Sequence, residues 1–310
     1  MKVLIAGGTG AIGRQLVPLL VARGDDVTVV SRGVAAAGRV EMLGARILAV
    51  DALEADSLLQ AMQAARPETV VDLMTAIPSR IDPRHIDRDM AATNELRTTA
   101  TRNLIQAATT AGARRIIGES IAFAYDPREP AVNSEDATLW RNPPSRFAAA
   151  MAAVVEHERM IREAGGTVLR FGHLYGPGTA YAGDGSTAEQ VRGKKFPIVG
   201  GGTGIFSFIH VGDAARAVEA ALHAQRAPTV LNIVDDDPAP LHEWLPVYAG
   251  LLGAKAPGKA PTFIARLLAG SYGVAFLTQI RGASNVRAKE TIDWQPTFAS
   301  WRDGFAAELG

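Results

Sequence analysis

The feature that most constrains this chain is a run of glycines set directly after its first apolar segment. Val3-Leu4-Ile5-Ala6 leads into Gly7-Gly8-Thr9-Gly10-Ala11-Ile12-Gly13, and a stretch of helical period follows over 11–23. Four apolar residues are strand length and too short for the hydrophobic region of a signal peptide. Glycines at 7, 10 and 13 permit a tight turn, let backbone N–H groups approach a ligand, and let the helix lie close to the strand. A helix N-terminus carries partial positive charge, so a loop of this kind suits a pyrophosphate. A glycine triplet alone is a weak signal, and its place between strand and helix is what gives it content.

The remainder of the chain repeats the same alternation. β-Branched apolar runs at 2–6, 27–30, 46–50, 69–74, 115–119, 167–171 and 230–234 predict strands, and Ala- and Leu-rich segments at 11–23, 55–64, 91–111, 146–164 and 214–224 predict helices. This is the pattern of an α/β fold with a doubly wound parallel sheet of Rossmann type. Pro18 is expected to bend the first helix. The alternation weakens after Gly176, where Gly and Pro are dense, resumes over 206–234, and then gives way to Pro-punctuated helical segments. Residues 1–175 and 206–236 are therefore expected to form a dinucleotide-binding core, with 176–205 and 237–310 as a smaller C-terminal substrate-binding lobe. A ligand is expected between them, outside the carboxyl ends of the strands.

Composition removes several classes of function. The 310 residues carry 32 basic and 32 acidic side chains, a balance that argues against a nucleic acid or an anionic membrane as partner. The absence of cysteine excludes disulfides, thiolate nucleophiles and cysteine-ligated metals. The six histidines, at 85, 157, 173, 210, 223 and 242, have neither H-x-H nor H-x-x-x-H spacing, so no metal site is expected. The charge-free run 267–280 falls short of the roughly 18 apolar residues that span a bilayer. A cytoplasmic protein is expected.

The second predicted strand ends in Val29-Val30-Ser31-Arg32, with no carboxylate to accept hydrogen bonds from an adenosine ribose. A guanidinium there pairs with a 2′-phosphate, which favours NADP, with NAD as the alternative. Arg32 stacked on adenine or facing water is the plainer reading of the same residue. The expected cofactor contacts are Gly7, Thr9, Gly10, Ala11, Ile12 and Gly13 in the loop, Ser31 and Arg32, Asp51 and Ala52 after the third strand, and Met74 and Thr75 after the fourth. Asp51 reads equally well as a cap for the next helix.

Four segments carry a family resemblance: GGTGAIG at 7–13, RFGHLYGPG at 170–178, SFIHVGDAARA at 207–217 and SNVRAKETIDWQP at 284–296. On these the chain resembles, over nearly its whole length, the extended short-chain dehydrogenase/reductase superfamily of the NAD-dependent epimerase/dehydratase type. The resemblance implies a Ser or Thr after the fifth strand and a Tyr-x-x-x-Lys pair on the next long helix. The tyrosine passes a proton as hydride moves, and the lysine lowers its pKa and holds the nicotinamide ribose. Ser120 matches the serine. The pair is absent: Glu129, Thr179, Gly185, Leu252 and Phe276 stand four places after the five tyrosines, and Phe147 and Met151 stand near the two functional places.

Two residues are candidates for a relocated proton donor. Tyr125, five residues after Ser120, is expected at the mouth where substrate sits, and His173 occupies a place where relatives often carry an Asn near the nicotinamide. An imidazole ordinarily titrates in the useful range. Tyr175 and His210 read as structural, and Asp213 as the N-cap of a helix beginning at Ala214. No Arg stands just before 208–210, where nucleotide-sugar relatives hold a diphosphate, so that substrate class is disfavoured. Phe206, Phe208, Tyr272 and Leu277 suggest a less polar ligand such as a ketone, though such residues are commonly core. The alanine-rich face of 147–155 reads either as core or as the contact of a homodimer.

The expected function is that of an NAD(P)-dependent oxidoreductase or epimerase-like enzyme acting on a small carbonyl or hydroxyl compound. A cofactor-binding sensor or scaffold without redox turnover is the alternative. Gly118-Glu119-Ser120-Ile121-Ala122 approaches the G-x-S-x-G elbow of a serine hydrolase, but it lacks the last glycine and the helix that must follow.

Overall fold

Why the first apolar run becomes a central strand is visible in how it is covered. The computed structural model describes residues 1–32 and 44–310. Among these, seven parallel strands form one sheet: β1 (Lys2–Ala6), β2 (Asp26–Val30), β3 (Arg46–Leu48), β4 (Thr69–Asp72), β5 (Arg115–Ile121), β6 (Thr167–Phe171) and β7 (Val230–Ile233), in the spatial order β7-β6-β5-β4-β1-β2-β3. The order reverses between β1 and β4, and at such a switch point a crevice opens beyond the strand ends. The third strand is shorter than the sequence suggests, ending at Leu48.

The main helices are α1 (Ala11–Ala22), α2 (Ala55–Ala65), α3 (Thr101–Thr110), α4 (Ala148–Glu163), α5 (Val211–His223), α6 (Leu241–Leu251), α7 (Thr262–Thr278) and α8 (Trp301–Leu309). Side chains alternate across a strand, so Val3 and Ile5 of β1 meet Leu16, Val17 and Leu20 of α1 and Val218 of α5 on one face. Leu4 and Ala6 meet Leu58 and Met62 of α2 and Leu104 of α3 on the other. Both faces of the sheet are thus dry, which is why its strands read as continuous apolar runs.

Pro18 lies within α1 without ending it. One helix departs from expectation. The single helix expected over 91–111 is a helix at Ala91–Glu95, a π-helical turn at Leu96–Ala100 and then α3. The wide turn accompanies buried polar contacts: Arg97 reaches Glu119, and the Thr101 hydroxyl donates to Asp72 Oδ2 at 2.7 Å.

Asp213 is not the N-cap of α5. The helix begins at Val211, and His210 caps it by accepting from the N–H of Gly212 at 3.2 Å. Asp213 sits buried in the first turn and accepts from the N–H groups of Thr297 at 2.7 Å and Phe298 at 3.3 Å, tying the C-terminal segment to α5.

The C-terminal part of the chain packs through aromatic rings, with Tyr181, Phe206, Phe208, Trp244, Tyr248, Trp301 and Phe305 in one buried cluster. Phe147, Met151 and Tyr175 belong to the same cluster, so α4 shares a core with this part of the chain. Among the described residues no helix is long and apolar enough to cross a membrane.

Candidate functional site

Strand register fixes what stands at the crevice. Ala6 is level with Val30 and Asp72, Asp72 with Gly118, and Gly118 with Val168. The glycine loop, residues 73–75, the end of β5 and the end of β6 therefore gather at one edge of the sheet.

The loop is shaped for close approach. Gly7 has φ +86°, and a Cβ there would lie 2.4 Å from the Leu73 carbonyl oxygen. A Cβ on Gly13 would lie 2.5 Å from the backbone of Gly8. The N–H of Gly10 donates to the Gly7 carbonyl at 3.0 Å, closing the turn. Gly10 is the N-cap of α1 and brings no side-chain cap, and the first turn holds no acid. The leading N–H groups of a helix have no partner within it, so those of Ala11, Ile12 and Gly13 suit a pyrophosphate. Thr9 supplies its carbonyl to Arg14 Nε at 2.8 Å.

Around the loop, Met74 is buried and Thr75 exposed. The N–H of Met74 donates to Asp72 at 3.0 Å, and burial raises the Asp72 carboxyl above its ordinary range, His157 and Thr101 pulling partly back. Arg32 and Asp51, expected as separate cofactor contacts, face each other at 3.5 Å, with the Arg32 side chain 59% exposed. Asp51 also accepts from the N–H of Leu53 at 3.0 Å and so caps a turn ahead of α2, whose N-cap is Glu54. Ala52 is buried and gives its carbonyl to Asn103 at 3.1 Å, and Ser31 is buried at the end of β2.

All three candidate catalytic residues are buried. Strand alternation turns Ser120 toward α4, where its hydroxyl donates to Glu158 Oε1 at 2.6 Å. Glu158 is in turn clamped by Arg170, at 2.8 Å from Nε and 2.7 Å from Nη2. Tyr125 is not at a mouth: it is 0% exposed, donates to Asn232 Oδ1 at 2.6 Å and accepts from Arg170 at 3.2 Å. Burial pushes its phenol up, and Arg170 offsets only part of that. The satisfied network of Arg170 and Asn232 explains why a loop tyrosine folds inward.

His173 is buried against Phe123, with ring centroids 4.3 Å apart and the planes nearly parallel. Its Nδ1 lies 3.2 Å from the Ser207 carbonyl, and Nε2 has no hydrogen-bond partner. Burial drives its pKa down to about 4, so the ring is neutral where an unperturbed histidine would be half charged. A neutral imidazole donating to a carbonyl through Nδ1 offers a lone pair at Nε2, not a proton.

Near the two places where the resemblance implies tyrosine and lysine, the structure has buried Phe147 and Met151. Phe147 stands at the N-terminus of α4 with its ring 4.4 Å from that of Tyr272 on α7. Tyr272 neighbours Phe276 at 5.9 Å, and Phe276 neighbours Phe123 at 6.2 Å and His173 at 5.6 Å. Phe123, Tyr272 and Phe276 keep part of their surface in solvent. Together they form an aromatic strip from the start of α4 to the end of β6, a wall suited to a flat ligand. Phe206 and Phe208, by contrast, are fully buried core, and Leu277 is buried beside them.

The profile of the NAD dependent epimerase/dehydratase family matches residues 3–233. The chain belongs to this family. A Streptomyces protein named 3-diazoavenalumate denitrifying reductase is 45% identical over 312 residues, covering 99% of this chain and 100% of that protein. A Stigmatella aurantiaca protein, 4-hydroxy-2-methyl-3-oxo-4-farnesyl-3,4-dihydroquinoline-1-oxide ketoreductase, is 27% identical over 87% of this chain and 79% of its own length. The crystal structure of UDP-glucuronic acid 4-epimerase from Bacillus cereus, in complex with UDP-glucuronic acid and NAD, superposes with a TM-score of 0.75 at 21% identity, over 100% of this chain and 98% of that one. The family fold accounts for the seven-stranded sheet and the glycine loop. Its structural neighbours bind NAD, and the uncapped helix after the loop fits the same class of cofactor in this chain.

The aromatic strip and the paired buried charges, Arg97 with Glu119 and Arg170 with Glu158, were missed in the sequence. Their members lie far apart in the chain and have no local period. The one available signal was charge inside apolar strands, at Glu119 and Arg170, since buried charges are ordinarily paired.

Proposed function

We propose that this member of the family is an NAD(P)H-dependent reductase that passes hydride to a small aromatic substrate able to accept it without a proton donor at the usual tyrosine place. The observation that carries this reading is the buried apolar pair Phe147 and Met151. A carbonyl oxygen must be protonated as hydride arrives, and a positioned acid there contributes about 10²- to 10⁴-fold. Ser120 and Tyr125 are tied into the core, and His173 is neutral, so none of the three is set to supply that proton.

A diazo group, named in the 45% identical relative, makes a different demand. In its diazonium form it accepts hydride at the terminal nitrogen: an N–H bond forms and one N–N π bond gives its electrons to the inner nitrogen. The C–N bond then breaks as N2 leaves, and the hydrogen ends on carbon. One hydride enters, one N2 departs, and no proton is drawn from the protein. Bound cofactor supplies the hydride, and the chain's share is to hold the ring along Phe123, Phe276 and Tyr272 and exclude water. Orientation of this kind is worth roughly 7–11 kcal/mol of barrier.

Arg32 supports NADP over NAD. It is exposed beyond β2, and its contact with Asp51 at 3.5 Å is long enough for a 2′-phosphate to displace. A homodimer through α4 belongs to the same proposal, since Ala148, Ala149, Ala152 and Val155 are exposed along one stripe of that helix.

The test is a fluorescence titration with NADPH and with NADH, followed by NADPH oxidation at 340 nm with an arenediazonium salt while N2 is measured. Tighter NADPH binding and one N2 per NADPH are expected. NADPH binding with no turnover of diazo or carbonyl compounds replaces this reading with a sensor or scaffold.

A further inference from the structure

Three separate pieces of chain converge beside the aromatic strip: the short turn Pro83–His85, the turn Ser145–Phe147 that enters α4, and the middle of α7. The approach depends on two glycines. Gly270, at φ +69°, breaks the helical path of α7, and a Cβ on Gly273 would lie 3.2 Å from Pro83. The result is a cavity of about 230 Å³ whose lining includes Arg84, His85, Arg146, Arg266, Leu267 and Tyr272.

The acids nearby pair with only some of these cations, and Asp82 also attracts Arg84 through space. Asp87 meets Arg146 at 3.4 Å, and Asp82 takes the Nδ1 of His85 at 2.8 Å. The side chains of Arg84 and Arg266 make no hydrogen bond or ion pair among the described residues; Asp82 bonds Arg84 only through its backbone N–H, at 3.0 Å. A concave surface lined by one sign of charge over apolar walls focuses potential and concentrates a counter-ion. The planar fork of a guanidinium matches a carboxylate.

We infer that this cavity is the anchoring subsite for the carboxylate of an aromatic acid, held by Arg84 and Arg266 with Arg146 beside them, while the ring lies along Tyr272, Phe276 and Phe123. The volume suits a subsite, being below the roughly 300–1,000 Å³ of pockets that enclose a whole drug-sized ligand. Leu267 and Tyr272 supply an apolar wall for the carbon chain next to the acid. The inference rests on the reductase reading only in taking the occupant to be the substrate.

The experiment is calorimetric titration of the protein, with and without saturating NADP⁺, using 4-hydroxycinnamate, its methyl ester and UDP, repeated on the double variant Arg84→Gln, Arg266→Gln. The acid should bind at least tenfold more tightly than the ester. The double variant should lose about 10- to 100-fold of the acid's affinity, the range expected for hydrogen bonds to a charged group, and none of the ester's. Equal binding of acid and ester, no binding of the acid, or unchanged affinity in the double variant overturns the inference. UDP binding that excludes the acid and weakens in the variant also overturns it, in favour of a diphosphate subsite. NADPH titration of both proteins separates the two readings: a chain that binds no NADPH defeats the reductase reading, whereas intact NADPH binding with an indifferent arginine cavity defeats only this one.

Discussion

Replacing Ser120 by alanine separates a catalytic hydroxyl from a structural one. The hydroxyl is 1% exposed and spends its proton on Glu158 at 2.6 Å, so the substitution removes one donor from a buried carboxylate that keeps two bonds from Arg170. A hydrogen bond to a charged group is worth about 1.5–3 kcal/mol. Unfolding entropy of roughly 2.1 cal/mol/K per residue converts this, for a chain of 310 residues, into a fall in Tm of about 2–5 °C. Differential scanning calorimetry reads that shift, and steady-state turnover with NADPH reads the chemistry. The expected outcome for Ser120→Ala is lower Tm with kcat within about threefold of the parent, against the 10²-fold or more that loss of a positioned acid costs. An unchanged Tm with kcat down 100-fold refutes the placement of this hydroxyl outside the reaction.

His173 makes stability depend on pH in a defined direction. Its folded pKa, about 4, lies below the unfolded value of 6.5, so its contribution is full above pH 6.5 and is lost as pH falls toward 4. The gap corresponds to roughly 3 kcal/mol at most. Urea melts at pH 7 and pH 4.5 should show a smaller difference for His173→Gln than for the parent, and equal differences would contradict the neutral buried ring. Gly13→Ala places a Cβ 2.5 Å from the Gly8 backbone, which pushes the loop off α1. NADPH affinity should fall about 5- to 150-fold in fluorescence titration, in line with overpacking costs of about 1–3 kcal/mol, and retained affinity would show that the loop does not hold the cofactor.

Much of the fold was readable because its signals are local. Gly7, Gly10 and Gly13 sit within seven residues between a strand and a helix, and the apolar runs keep their spacing without reference to distant chain. The missing tyrosine and lysine were equally plain, since four-residue spacing is a property of the string. The placement of Tyr125 is illegible in the sequence for the opposite reason. A tyrosine after a strand reads the same whether it faces solvent or core, and what draws this one inward is Arg170 and Asn232, 45 and 107 positions further on. Nothing in the sequence signals the low pKa of His173, because composition carries no information about desolvation, which Phe123, Phe206 and Phe276 impose from three separate segments.

The sequence by itself therefore determined the parallel sheet, the glycine loop and the absence of the Tyr-x-x-x-Lys pair, all consequences of period and spacing along a contiguous chain. Only the tertiary structure decided that Ser120 faces Glu158, that His173 stays neutral, and that Arg84, Arg146 and Arg266 share one cavity. Those facts are set by packing between residues up to 182 positions apart, Arg84 to Arg266, where burial and the match of charges, not local propensity, select the arrangement.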